Sequence, residues 1–408
     1  MIQLNLDQER IKNAAIHWFF NESNQVFEID GAAGTGKTFL IFQILKALGL
    51  NENQYYAMAY TGQASIVLRT RGFKTARSIH STLYEVVDVV SESEDMAMKY
   101  GLTTKRKDFR LKEYIDPQIR LFFIDEAFMV PNYMVKDILS FGIKVIACGD
   151  AHQLPPIGDN PGFLINSGVH HLTQLMRQAE LDPIVYLADR AMNGLPIHAG
   201  VYGNTVLVIN DDEFCPEMIG YADECICGTN RTRDIVNSYV RQIAGFSSHQ
   251  LPCFGEKVIC RNNNWHRVED GIALANGLSG TIINNPDASS FTRYTGQNCF
   301  LIDFKPDLVD SIFFQIPVDF NYFSSPFDIR QDLKKKKESC SWMKGELFEF
   351  AYCITTHLSQ GGEYRRGIYI EEFLKAQIQN QLNYTAITRF KTGMIYIKKK
   401  QKYFNIPF

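Results

Sequence analysis

The sequence predicts an α/β protein built on two mainly parallel sheets wrapped by helices, one in each half of the chain. Three observations carry this prediction. Short apolar runs alternate with helical stretches through the first 180 residues, a glycine-rich turn at Gly31–Thr38 joins a strand to a helix, and a second strand–helix alternation begins near residue 220. In the first half Val26–Asp30, Tyr55–Tyr60, Leu121–Ile124 and Val145–Cys148 read as strands. Each ends at a polar or glycine-rich loop, and in open α/β sheets ligands gather at such carboxyl-end loops. In the second half Glu224–Cys227, Leu347–Ile354, Ile368–Ile370 and Gly393–Ile397 read as strands and Arg231–Ala244 as a helix. Two stretches interrupt the alternation. Residues 85–118, acidic then basic, are too long for a simple loop and read as a small subdomain or hairpin. Residues 257–344 change to short β-like runs rich in aromatics, Asn, Asp, Pro and Gly, and read as an all-β insertion. The expected units are therefore 1–84 with 119–180, the insert 85–118, 181–256 with 345–408, and the insert 257–344.

The chain of 408 residues has room for two or three such units, which excludes a single stapled module. Forty-two Lys and Arg against 45 Asp and Glu leave a net charge of −3, so binding to a polyanion would have to come from local patches. At 45% hydrophobic and 21% charged residues the composition is that of a folded protein. No apolar run approaches the roughly 20 residues that cross a bilayer, and Met1–Arg10 lacks a signal-peptide core, so a soluble, non-membrane protein without a targeting signal is expected. The nine scattered cysteines fit reduced thiols in a cytoplasm. The spacing of Cys225, Cys227, Cys253 and Cys260 matches no standard zinc site.

Gly31-Ala-Ala-Gly34-Thr35-Gly36-Lys37-Thr38 fits the phosphate-loop pattern, in the strand-to-helix context that the pattern requires. Its glycines let successive N–H groups face an anion, and the following helix adds the positive end of its dipole. Lys37 would neutralise the β- and γ-phosphates of ATP, and the Thr38 hydroxyl would supply a ligand to Mg²⁺. The Leu121–Ile124 strand runs into Asp125 and Glu126. Asp125 would hold Mg²⁺ through its water shell, and Glu126 would accept a proton from the attacking water. These elements describe an ATP-hydrolysing site but leave many phosphate-loop families open.

The later motifs narrow the choice. Gly149-Asp150-Ala-His-Gln153-Leu-Pro155-Pro156 follows the Val145–Cys148 strand. Leu6-Asp7-Gln8, Tyr60-Thr61-Gly62-Gln63-Ala64, Ala76–His80, Leu172–Gln178, Gly255–Val258, Asn276-Gly277 with Gly280, Thr356–Glu363 and Tyr384–Arg389 stand around it in order. This set resembles superfamily 1 DNA helicases of the 5′ to 3′ RecD/Dda-like group, and in size and motif layout it is most like the phage helicase Dda. The resemblance implies two RecA-like domains, with the 257–344 insertion SH3-like, and a monomer that moves on single-stranded DNA and opens forked duplex DNA using Mg-ATP. RNA is an alternative strand, a DNA-stimulated loading or remodelling ATPase is an alternative activity, and replication or repair proteins are possible partners. Cytoplasm of a bacterial or phage-infected cell is the implied location.

The same resemblance gives roles to residues. Gln8 would read adenine, and Gln153 would couple the γ-phosphate to the DNA face. Arg177 and Arg389 would act as arginine fingers, although both could be surface salt-bridge partners, and Glu363 would fix the ribose or its water shell. Thr61, Gly62, Gln63, His80, Asn276, Thr356, His357 and Ser359 would line the DNA. Three departures weaken grip or coupling rather than hydrolysis: Leu358 in place of a usual Lys, Phe128 in place of Ser, and Tyr60 in place of Pro. In the 85–118 insert, Lys99, Lys105, Arg106, Lys107, Arg110 and Lys112 surround Phe109, which suits a duplex wedge, with a solvated charged face as the competing reading. Lys334–Lys337 reads as a solvated loop, and Trp18, Trp265 and Trp342 read as packing residues.

Overall fold

A computed structural model describes residues 4–91, 104–165, 168–176, 181–246, 251–286, 291–294, 297–339, 345–374 and 376–399. Its first half contains β1 (Val26–Gly31), β2 (Tyr55–Ala59), β3 (Arg77–Ser78), β4 (Tyr84–Ser91), β5 (Thr104–Leu111), β6 (Leu121–Asp125), β7 (Lys144–Gly149) and β8 (His170–Leu172). Six of these form one sheet in the order β3-β2-β6-β7-β1-β8, parallel throughout. All five residues of β6 are buried, as expected of a parallel strand covered on both faces. One face is closed by α1 (Leu6–Asn21) and α2 (Lys37–Ala47), whose Trp18, Ile41 and Ile44 pack on Phe27, Ile29 and Phe123. On the other face Met58, Phe122 and Val145 pack on Met134 and Ile138 of helix Asn132–Ser140. The insert is an antiparallel hairpin of β4 and β5, in register from Tyr84↔Leu111 to Ser91↔Thr104.

The second half adds β9 (Gly200–Tyr202), β10 (Val206–Asn210) and β11 (Glu224–Cys227). Then follow β12 (Lys257–Cys260), β13 (Asn264–Glu269), β14 (Ile272–Leu274), β15 (Ser279–Ile282), β16 (Phe291–Tyr294), β17 (Gln297–Pro306) and β18 (Phe313–Asp319). Last come β19 (Phe348–Phe350), β20 (Cys353–Thr355), β21 (Tyr364–Ile370) and β22 (Phe390–Lys398). The second main sheet runs β20-β11-β21-β22-β10-β9 and is parallel except at the β9 edge. A separate antiparallel sheet runs β16-β17-β15-β12-β19, with β18 on β17.

Three readings are corrected. Leu347–Ile354 is not one strand: β19 pairs with β12 in the antiparallel sheet, and β20 pairs with β11 in the parallel one. A continuous apolar run reports burial, which both sheets provide, so it could not reveal the switch at Ala351–Tyr352. The 257–344 insertion is not all β, because it contains helices Phe320–Ser324 and Phe327–Ser339. Lys334–Lys337 accordingly lie on the second helix rather than in a loop. That helix is anchored by Arg330, which joins Arg233 and Arg261 around the buried Glu349 carboxylate. Against the cost of burial, these three cations bring Glu349 down to about 2. Among the described residues no helix is long and apolar enough to cross a membrane.

Candidate nucleotide cleft and nucleic-acid face

The phosphate loop lies between β1 and α2, with Gly34 at φ 83° and Gly36 at φ 79°, left-handed conformations that favour glycine. Lys37 Nζ donates to Gly31 O at 2.6 Å and Ala32 O at 3.2 Å, which keeps the ammonium at the mouth of the loop. The Thr35 hydroxyl donates to Ala32 O at 2.9 Å. Gln8 reaches this loop from α1. Its Oε1 accepts from Asn5 N at 3.1 Å in the helix capping box, and its Nε2 donates to Thr35 O at 3.0 Å. Gln8 is fully buried, and a Cβ on Gly36 would lie 2.6 Å from its Nε2, so it braces the loop closely.

The end of β6 brings Asp125 and Glu126 alongside. Glu126 adopts φ 50° and ψ 42°, a left-handed conformation that carries backbone strain in a non-glycine residue, as at many functional sites. Burial pushes the Asp125 carboxyl up, with Arg71 opposing it. Arg71 Nη1 donates to both Thr38 Oγ1 at 3.0 Å and Asp125 Oδ2 at 3.5 Å. These two hard oxygens therefore share one cation position, and the donor set suits Mg²⁺.

The second sheet closes the cleft from the opposite side. Arg389 is buried, and its Nη1 lies 3.5 Å from Glu126 Oε1 and 3.4 Å from Gly362 O. Glu363 pairs with both Arg71 and Lys391. Burial opposes its ionisation, but those two charges hold its carboxyl below the usual range. From helix Ala376–Ile387, the Tyr384 hydroxyl accepts from Ala33 N of the phosphate loop at 3.1 Å and donates to Asp150 Oδ2. Burial raises the Asp150 carboxyl, yet hydrogen bonds from His152 and Tyr384 and the charge on Lys37 leave it lowered overall. The neighbouring loop is clamped between the sheets: Leu154 N donates to Thr385 Oγ1 at 3.0 Å, and Gln360 Nε2 donates to Leu154 O at 2.8 Å. Gln153 is buried there, and its Oε1 has no partner among the described residues. Arg177 lies outside the described residues.

The expected DNA-facing residues divide into two groups. Thr61 caps α3 (Gly62–Thr70) by accepting from Ala64 N at 3.1 Å, and Gly361 of the second half sits so close that a Cβ there would meet Ala64 Cβ at 2.4 Å. Gln63 is buried with Oε1 unpartnered among the described residues, and so is Asn276 Oδ1. Thr356 and Ser359 are fully buried, and their hydroxyls donate to Cys227 O at 3.2 Å and Thr356 O at 2.8 Å, so they are engaged inside the fold. Burial lowers the pKa of His357. Leu358 packs on the core of the second sheet, which accounts for an apolar residue at that position. Phe128 packs likewise on the first.

His80 anchors the other group. Its ring centroid lies 5.5 Å from Tyr84, 5.4 Å from Phe109, 6.1 Å from Tyr60 and 6.1 Å from Trp265. These rings, apart from Tyr60, border a cavity of about 350 Å³ that Gly62, Ser78, Ser81, Arg69 and Arg77 also line. Trp265 packs against His80 and Phe109 in this wall, whereas Trp18 is buried beneath the first sheet. Trp342 and Lys99 lie outside the described residues. Phe109 pairs with Val86 near the root of the β4–β5 hairpin, so its ring joins the cavity wall rather than the tip. Arg71, Tyr384, Thr385 and Trp265 are the residues that sequence reasoning missed. Tyr384 and Thr385 stood inside a quoted motif, and that was the available signal. Arg71 closes α3 with no spacing that marks it.

Burial brings His80 from the usual 6.5 to about 4. Between those values the unfolded chain takes up a proton that the folded chain refuses, so stability present above pH 6.5 is lost as pH falls toward 4. In thermal melts, His80→Gln is expected to lose less stability than the wild type between pH 7 and pH 5. Equal losses would contradict a ring kept neutral by partial burial.

Comparison with known proteins places this geometry among relatives. Residues 3–199 match the AAA domain family. Over 210 residues the chain is 26% identical to the uncharacterized protein R530 of Acanthamoeba polyphaga mimivirus, covering 44% of this chain and 40% of that protein. Over 141 residues it is 30% identical to the ATP-dependent DNA helicase Pif1 of Bdellovibrio bacteriovorus, covering 32% of this chain and 29% of that protein. The chain therefore spans less than half the length of these curated relatives. The crystal structure of a Pif1 helicase from Bacteroides in complex with ADP-AlF3 and ssDNA shares the fold, with a TM-score of 0.52 at 16% identity over 100% of this chain and 95% of that one.

Proposed function

We propose that the chain is a Pif1/RecD-like member of superfamily 1, an ATP-dependent DNA helicase that moves 5′ to 3′ along single-stranded DNA and opens forked duplexes. The observation that carries this reading is the meeting of Glu126 and Arg389 across the cleft, beside a phosphate loop. Lys37 and the loop N–H groups bind the β- and γ-phosphates, and Glu126 takes the proton of the attacking water. Arg389 offsets charge that develops on the transferred group. Thr38 and Asp125 would hold Mg²⁺, which supplies charge neutralisation at the phosphates. Gln153, Leu154 and Gln360 transmit closure of the cleft to the outer face, where the strand crosses α3 and the aromatic cavity.

In this reading His80, Phe109 and Trp265 stack on bases, which suits a motor indifferent to sequence, because every base presents a π-face. His80 contributes as a neutral ring rather than as a cation. Trp265→Ala is expected to weaken binding of single-stranded oligonucleotide by roughly 1–3 kcal/mol while leaving ATP hydrolysis without DNA near the wild-type rate. Fluorescence anisotropy and phosphate release measure the two quantities, and unchanged oligonucleotide affinity would remove the cavity from the DNA path.

Strand displacement with 5′-tailed and 3′-tailed forks tests the proposal. Opening of the 5′-tailed fork by the wild type, with neither fork opened by Lys37→Ala, is the expected result. Failure to displace either fork, or displacement by the Lys37 variant, would contradict it.

A further inference from the structure

Arg71 follows Thr70 at the end of α3 and belongs to no motif that the sequence singles out. Its guanidinium spans the nucleotide cleft. Nη1 serves Thr38 Oγ1 and Asp125 Oδ2 at 3.0 and 3.5 Å, and Nη2 pairs with Glu363 of the second half. Thr38 and Asp125 are the two side chains to which the proposed function assigns Mg²⁺, so this inference rests on that reading. A guanidinium stays charged at any ordinary pH, so it cannot yield to a second cation by losing a proton and has to move. Two cations a few ångströms apart repel strongly in a partly buried site. Glu363, which also pairs with Lys391, gives the displaced guanidinium a place to stay.

We propose that Arg71 is a positioning residue that trades places with the divalent cation. Without metal it ties Thr38 and Asp125 of the first sheet to Glu363. When the metal site fills it releases the two oxygens and keeps its hold on Glu363, so that metal occupancy is reported to the second sheet. Two consequences follow for nucleotide binding. Arg71 supplies positive charge near the phosphates when metal is absent, and it competes with the metal when metal is present. Both reduce the advantage that Mg²⁺ gives to nucleotide binding.

The test is binding of a fluorescent ADP analogue to the full chain with and without Mg²⁺, read as the dissociation constant without Mg²⁺ divided by that with Mg²⁺. Arg71→Gln is expected to raise that ratio by about fivefold or more, the lower end of ordinary linkage between sites. Arg71→Lys keeps the charge but loses the planar fork, and it is expected to raise the ratio by a smaller factor. Thermal melts establish that each variant is folded, and the Lys variant carries the test should the Gln variant fail to fold. A ratio unchanged or lowered in the folded variants overturns the proposal, because a merely structural arginine would weaken both affinities together. Failure of the wild type to bind the analogue under either condition would instead overturn the nucleotide-site reading on which the proposal rests.

Discussion

Replacement of Lys37 by Ala is expected to lower ATP hydrolysis by at least roughly 10²–10³-fold, the usual cost of removing one positioned group that stabilises charge in a transition state. The ammonium sits 2.6 Å from Gly31 O at the mouth of the loop, where phosphate oxygens would replace backbone carbonyls as its partners. Its removal leaves the glycine backbone geometry and the α2 contacts of Leu40, Ile41 and Ile44 with the first core in place. The variant should therefore melt within a few degrees of the wild type. Phosphate release at saturating single-stranded DNA measures the effect, and a rate within tenfold of wild type would contradict the assigned role.

Arg389→Ala is expected to cost about 10³–10⁵ in turnover, the range associated with arginine fingers. Nucleotide affinity should change far less, because the charge that this residue offsets develops in the transition state. Its position across the cleft gives the effect a second source, since Glu126 then loses the cation 3.5 Å away. Arg389→Lys should not rescue turnover. A lysine cannot reproduce the donor set that engages Glu126, Gly362 O and Thr385 O together. A turnover defect matched by an equal loss of nucleotide affinity would assign Arg389 to ground-state binding instead.

Much of the frame is legible in the sequence because its strands are buried on both faces and read as apolar runs. β11 has the residues expected of it, and β1, β6 and β7 differ from expectation only at their ends. The phosphate loop and the Asp125-Glu126 pair are legible because their chemistry demands residue types at fixed spacing. What depends on tertiary pairing is not. The split of Leu347–Ile354 between two sheets turns on which partner each half finds, and the helix that carries Lys334–Lys337 is fixed by Arg330 reaching Glu349. The cross-cleft roles of Arg71 and Tyr384 depend on residues about 290 and 350 positions away in the chain, a separation that no local pattern records. The same holds for Trp265, whose surroundings in sequence are polar but whose neighbours in space are His80 and Phe109.

Coupling between the cleft and the aromatic face is tested most directly by the rate of ATP hydrolysis with and without a single-stranded oligonucleotide. Acceleration of at least about tenfold by the oligonucleotide, absent in Lys37→Ala, is the expected result. Hydrolysis at one rate in both conditions would contradict a cleft that works in step with a bound strand.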